Sequence, residues 1–442
     1  MDKFDLIIIG DGILGKLTAL RVLENTNCKI ALIGNNLNNA SKASGAMIAV
    51  YGELEDTKLY DEHDKLILNL SERSNSEWRK VINNLDKKII TAKKTIVYLK
   101  NNANSLEKKC FKTISNYGKS FDNKRNPKKG AKYLLLKDEF AISSKRLFDN
   151  IDSIIFNNKN FKYFDDQAVI NESNNNRVQL KKNNKTLISD KILIAAGSNS
   201  SNITNKIKMV PIYSGVGTAL EIESKELSDF LDKNTVYRTA NRGGSYCGVH
   251  LVPRNNKDLF YLGAGNYLTK NQNSIGRMAT VKYLIEALSK EISNDYIAHK
   301  TKMKMVYGNR PISFDNKPVL GVLHKNKRIL IASGFNRVGL TLSPVITNEI
   351  LNWLKNSKIN SDFDKWSPNR KLVSFRDKDM AIKIYADFFL SNLIEHNLIN
   401  KNMISITKDK LLKEAQIKHN LIQKKFNLKT NFGISPEILS IF

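Results

Sequence analysis

The glycines of Gly10-Asp-Gly12-Ile-Leu-Gly15 follow directly on the apolar run Phe4–Ile9 and are spaced to bind an anion. Gly10 permits a tight strand-to-helix turn, Gly12 lets a pyrophosphate approach the backbone, and Gly15 lets helix and strand pack closely. Ile13 and Leu14 open the helix that follows, whose free N–H groups and positive dipole end complete the anion site. A strand before and a helix after form the context in which this spacing holds a dinucleotide. Such sites ordinarily bind a ribose hydroxyl through a carboxylate at the end of the second strand. Here that strand, Lys29–Ile33, runs into Gly34, Asn35 and Asn36, so the Asn35 amide is the expected substitute.

Elsewhere the chain offers single residues rather than constellations. Cys28, Cys110 and Cys247 lie far apart with no CxxC spacing, so neither a zinc site nor a disulfide framework is expected, and a reducing cytoplasm fits. No catalytic triad and no paired carboxylates are evident. Ser41–Met47 is rich in small residues and suits a flat ligand lying against Ser44, Gly45, Ala46 and Met47. The net charge of +28 invites a nucleic-acid reading. Lys, Asn and Ile are abundant throughout, however, which points to a composition bias at every exposed position. The densest basic stretch, Asn123–Gly130, carries turn residues and no aromatics for base stacking. It reads as a solvated loop, with a polyanion contact as the alternative.

The elements that must position these residues follow from periodicity. Helical spacing over 61–86 places Leu66, Leu70, Trp78, Val81, Ile82 and Leu85 on one face. Thr95–Leu99 reads as a strand, and 102–130 as polar and irregular with one helix. Short strands fill Phe161–Gly197, with turns at Asn174–Asn176 and Asn183-Asn184. Pro211–Gly265 is strand-rich, with alternation in Tyr246–Pro253 and Leu259–Gly263. An amphipathic helix spans 276–290, a buried strand Arg328–Ala332, a glycine turn Gly334–Gly339, and a helix Ser343–Leu354. Residues 371–442 are Lys-rich and helical, with an apolar face at Ala381, Ile384, Tyr385 and Phe388. At 442 residues the chain suits two domains plus an appendage, with no run long enough to span a membrane and no signal peptide.

Three further blocks make the chain resemble the D-amino-acid oxidase/glycine oxidase family of FAD-dependent oxidoreductases. They are Ile194-Ala-Ala-Gly197, Arg310-Pro-Ile-Ser-Phe-Asp-Asn-Lys-Pro-Val-Leu-Gly321 and Ser333-Gly-Phe-Asn-Arg-Val-Gly-Leu-Thr-Leu-Ser-Pro344, in the family's order. The resemblance implies an α/β fold with a Rossmann-type FAD-binding domain assembled from 1–58, 141–208 and 310–370. An antiparallel β substrate domain (59–140 and 209–309) and a helical C-terminal extension (371–442) complete it. It extends the cofactor-contacting set to Val169, Ala195, Ala196, Gly197, Gly334, Val338, Gly339, Leu340 and Thr341. Backbone N–H groups at Val338–Thr341 would stabilise the negative charge of a reduced flavin.

In the glycine oxidase branch the arginine of the Arg-Pro block pairs with a substrate carboxylate; here it is Arg310, with a structural ion pair as the alternative. Arg337 matches a second arginine of that branch, facing the flavin loop or bracing it. His250 stands where glycine oxidases carry a carboxylate-contacting Tyr, which leaves substrate contact and a structural role both open; Arg254 reads as structural. The implied activity is oxidation of the C–N bond of an amino or imino acid, by hydride transfer to the flavin and hydrolysis of the resulting imine. The alternatives are an amine carried on a larger molecule, such as a modified tRNA base, and a non-catalytic flavin-binding interaction protein.

Relatives that tether the flavin use a Cys or His, whereas Ser333 precedes Gly334 and no His falls within 41–47. FAD is therefore expected to be non-covalent. Acid precipitation should release the yellow cofactor into the supernatant with the mass of FAD; flavin kept in the pellet would contradict this.

Overall fold

The computed structural model describes residues 2–35, 39–55, 61–101, 103–120, 132–170, 176–203, 209–242, 247–256, 258–271, 274–323, 326–395 and 398–442. The basic run Asn123–Gly130, most of the turn at Asn174–Asn176, Asn36 and Tyr246 lie outside the described residues.

The first sheet is built on parallel strands in the order Phe161–Asp165, Ile30–Gly34, Lys3–Ile9, Thr186–Ile194, Asn326–Ser333. Antiparallel strands Ala168–Ile170, Arg177–Leu180 and Val319–Leu323 extend it. Its central strands are near-continuous apolar runs because both faces are covered. With the period of two, Leu6, Ile8, Ile30, Leu32 and Leu193 enter one buried cluster, and Ile7, Ile9, Ala31, Ile33 and Ile192 enter another. Helices Ile13–Asn25, Glu62–Leu85, Ser144–Ile155 and Gly339–Asn356 cover the first face.

The second face is covered largely by the C-terminal segment. Ile382, Tyr385, Ala415, Ile422, Ile434 and Ile438, from helices Lys378–Glu395, Ile404–Phe426 and Pro436–Leu439, share a cluster with the sheet. Each of these isoleucines stabilises the fold by about 1.5–3 kcal/mol relative to exposure. Helix Lys378–Glu395 buries Ile382 and Ala386 as well as Ala381, Tyr385 and Phe388, a wider face than the single stripe expected. It packs on a neighbouring helix as well as on the sheet.

A second sheet runs Lys302–Ser313, Ile212–Glu223, Leu259–Thr269, His250–Pro253, Thr235–Thr239, Lys94–Leu99, Lys132–Leu136, Lys119–Ser120. It is antiparallel except where Thr235–Thr239 meets Lys94–Leu99. It carries Arg310 and His250. A small third sheet joins Met47–Ile48, Phe140–Ile142 and Ile90–Ala92.

Two elements differ from expectation for local reasons. The helix expected from Ser343 begins at Gly339, so that Pro344 lies inside it. Pro344 has no N–H for the Leu340 carbonyl, which instead accepts from Trp78 Nε1 at 3.0 Å and Ser343 Oγ at 2.9 Å. The helix expected over 276–290 divides into Met278–Ala287 and a π-turn over Leu288–Ile292.

In the first sheet Lys3–Ile9 and Thr186–Ile194 are neighbours whose chains leave in opposite directions, which opens a crevice beyond their carboxyl ends. Gly10, at φ +120°, donates its N–H to Ile33 O, and Ala195 donates to Ile9 O. A Cβ on Gly10 would lie 2.2 Å from the Ala195 carbonyl oxygen. Backbone on both sides leaves nothing free to yield, so Gly10→Ala should destabilise the fold by about 3 kcal/mol or more. Thermal unfolding checks this; an unchanged melting temperature would contradict it.

Candidate active site

A cleft of about 370 Å³ occupies that crevice and continues to the second sheet. Its nucleotide end is built by glycines with distinct tasks. A Cβ on Gly15 would fall 1.8 Å from Gly10 O, so helix and turn touch only because Gly15 has none. A Cβ on Gly12 would meet only Ser41 Oγ, at 3.4 Å, because Gly12 faces the cleft. The helix has no side-chain cap at Gly12 and no acid in its first turn, which leaves a positive dipole end for an anion. Ser41 Oγ accepts from Ile13 N–H at 3.1 Å and ties the small-residue segment to this turn.

Asn35 lines the cleft, and a carboxylate the sequence reading missed lies beside it. Gly34 has no side chain, and Asp11 fills the space: a Cβ on Gly34 would sit 2.4 Å from Asp11 Cγ. Tyr163 OH donates to Asp11 Oδ2 at 3.3 Å and to Gly34 O at 3.0 Å. The acid missing from the second strand is thus present in space, supplied from within the glycine motif.

Ile13, Leu14, Ser44, Gly45, Ala46, Met47, Val169, Ala195, Ala196, Gly197, Gly339, Leu340 and Thr341 also line the cleft. Gly15, Gly334 and Val338 are not among its lining residues. Gly15 serves packing, Gly334 makes its turn at φ +71°, and Val338 packs against the first core cluster. Ser333 Oγ donates to Gly197 O at 2.8 Å. Helix Gly339–Asn356, like the first, starts with no side-chain cap and no acid in its first turn. These cradles, two uncapped helix starts and a glycine floor, fit a dinucleotide of FAD's size and charge.

The far end of the cleft concentrates charge. Arg310 Nη1 donates to Asn336 Oδ1 at 2.9 Å, while its Nη2 is buried without a partner. Arg337 is engaged differently: it pairs with Glu55, with Glu53 at 3.4 Å, and donates to Cys247 Sγ at 3.1 Å. Burial pushes Glu53 up, but Arg238, at 2.8 Å, and Arg337 overcome this and hold its carboxyl at about 2. Burial, aided by Arg238, pushes His250 down to about 3, so its ring is neutral at physiological pH. It stacks on Tyr261 with centroids 5.7 Å apart, above Gly45. Arg254 donates to Ser44 O at 3.0 Å and lies over the Tyr261 ring, bracing the small-residue segment. Spacing gave no signal for Glu53, Glu55 or Tyr261, because only the fold brings them to Arg337 and His250. Among the described residues no His/Cys/Asp/Glu cluster could hold a metal, and no helix is long and apolar enough to cross a membrane.

Because Gly12 has ordinary φ and faces open space, Gly12→Val should keep the melting temperature near wild type yet lose bound flavin. Stoichiometric FAD in the purified variant would show that the nucleotide lies elsewhere.

The sequence matches the FAD dependent oxidoreductase (DAO) family over residues 5–352. No curated protein matches it. Among solved structures, glycine oxidase from Geobacillus kaustophilus superposes with a TM-score of 0.70 at 14% identity, covering 84% of this chain and 100% of that one. Iminodiacetate oxidase from Chelativorans sp. BNC1 gives 0.67 at 13% identity, covering 82% and 99%. L-alpha-glycerophosphate oxidase from Mycoplasma pneumoniae, a structure with FAD bound, gives 0.64 at 14%, covering 84% and 98%. At these identities the likeness shows the fold. The family match takes in every residue that lines the cleft and none of the C-terminal helices: the chain belongs to the DAO family of FAD-dependent oxidoreductases.

Proposed function

We propose that the protein oxidises the C–N bond of an amino or imino acid whose carboxylate is held by Arg310. The observation that carries this reading is the buried, unpartnered Nη2 of Arg310, beside an Nη1 already fixed by Asn336. A guanidinium held at one terminal nitrogen and open at the other is oriented for a carboxylate. Arg337, by contrast, is neutralised by Glu53 and Glu55, so its role is to hold the Glu53–Glu55 loop against the helix start rather than to take the substrate. Neutral His250 and Tyr261 supply a wall that can share hydrogen bonds without adding charge. Of the two arginines that line the cleft, that leaves Arg310 open to a carboxylate.

FAD, when bound, supplies the acceptor for the substrate's α-hydrogen as hydride, leaving an imine that water hydrolyses. This chain's residues bind and orient. Arg310 fixes the acid, the His250–Tyr261 wall excludes water, and the uncapped start of Gly339–Asn356 offers a positive dipole end to developing negative charge. The chain's charge of +28 favours a second reading, an amine carried on a polyanion such as a modified tRNA base. Steep loss of binding with added salt would select it.

The test is a substitution pair. Arg310→Met removes charge and fork and should cost about 10- to 100-fold in kcat/KM, the equivalent of ~1.5–3 kcal/mol for a charge-assisted pair. Arg310→Lys keeps the charge and should fall between, with FAD content unchanged in both. Equal losses on an acid and on its uncharged analogue would make Arg310 structural and remove the main support for an amino-acid substrate.

A further inference from the structure

The amide that fixes Arg310 is itself held. Asn336 Oδ1 accepts from Arg310 Nη1 at 2.9 Å, and Asn336 Nδ2 donates to Asn316 Oδ1 at 3.0 Å. A guanidinium only donates, so the atom that Asn336 turns to Arg310 has to be its oxygen. The Asn336 amide nitrogen then faces Asn316, which accepts. The direction of both bonds thus follows from the arginine outward.

The backbone sets up this row. Asn316 and Asn336 lie in the left-handed region, at φ +59° and +45°, which Asn enters more readily than most side chains. Asn316 N–H donates to Ser313 O at 3.0 Å and Asn336 N–H to Pro311 O at 2.8 Å. Both turns are thereby anchored on the strand that carries Arg310, Lys302–Ser313. The charged neighbours of the two amides in the sequence are engaged elsewhere. Asp315 accepts from Arg370 at 2.7 and 3.0 Å, and Arg337 pairs with Glu53 and Glu55.

With Nη1 fixed, the Nε–Nη2 edge of the guanidinium remains, whose two parallel N–H groups match the two oxygens of a carboxylate. Nη2 is buried without a partner. A Cβ on Gly217, which lines the cleft with Arg310 and Asn336, would lie 3.6 Å from Nε. The strand beside this edge therefore has no side chain there to cover it. We propose that Asn336 is a positioning residue of the carboxylate site: backed by Asn316, it holds Nη1 and turns the Nε–Nη2 edge of Arg310 to the ligand. The inference rests on Arg310 as the carboxylate ligand. The neutrality of Asn336 is part of the role, because an amide fixes the guanidinium without cancelling its charge.

The experiment uses the full-length flavin-bound protein, titrated calorimetrically without oxygen. The probes are the standard amino acids and, for each, the decarboxylated amine. Asp and Gly are the replacements, since both tolerate a left-handed backbone. Asn336→Asp still holds Nη1 but cancels the charge. It should weaken amino acids about tenfold or more and leave the amines at least as tightly bound. Asn336→Gly keeps the charge but frees the guanidinium, and should cost amino acids about two- to tenfold. Asn316→Gly should act in the same direction. Asn316→Asp should recover part of that loss, because its carboxylate still accepts from Nδ2. The double variant Asn316→Gly/Asn336→Gly should bind no worse than Asn336→Gly alone, as expected of residues acting in one line. Wild-type affinity for amino acids in Asn336→Asp and Asn336→Gly, equal losses on amino acids and amines, or additive losses at 316 and 336 would overturn the positioning role. Arg310→Met tests the reading beneath it. If that variant keeps wild-type affinity for amino acids, or wild-type protein binds no amino acid more tightly than its amine, the carboxylate reading itself falls.

Discussion

The architecture depends on how closely three backbone segments approach at one point. Gly10, Gly15 and Ala195 meet where strand Lys3–Ile9 turns into its helix beside strand Thr186–Ile194. The approach is closer than any Cβ allows. It sets the helix axis, and with it the direction of the dipole, against the carboxyl ends of the strands. A cleft that must take phosphates needs this placement, and both buried faces of the sheet exist to hold it.

At the other end of the cleft the constraint is electrostatic. Arg238 is buried and Arg310 and Arg337 line the cleft, and buried charge is tolerated only when paired. Glu53 answers Arg238 and Arg337, and Glu55 answers Arg337. Arg310 is left with a neutral amide partner. Of these three, Arg310 is the one without a carboxylate partner, and it lines the cleft.

The C-terminal segment ties these two ends together. Its apolar side chains close the sheet face opposite the helix layer, and the same packing fixes Pro436–Leu439 against the second sheet. A segment beyond the family match thereby contributes to the stability of the nucleotide-binding part.

Much of the nucleotide end was legible in the sequence, because its determinants are local. The glycine spacing, the apolar runs and the 3.6-residue periodicity of Glu62–Leu85 each act within a few residues, where steric limits and hydrophobic patterning leave few alternatives. The Arg310 and Gly334–Thr341 blocks were legible by resemblance. What only the tertiary structure decided are contacts between distant segments. Asp11 takes the place of a carboxylate sought at Asn35 because Gly34 leaves room for it. Arg337, alike to Arg310 in sequence terms, is occupied by Glu53 and Glu55, and Glu437 reaches Asn266 across 171 positions of chain. Ion pairing and burial depend on distance in space, and no local pattern encodes which charges the fold brings together.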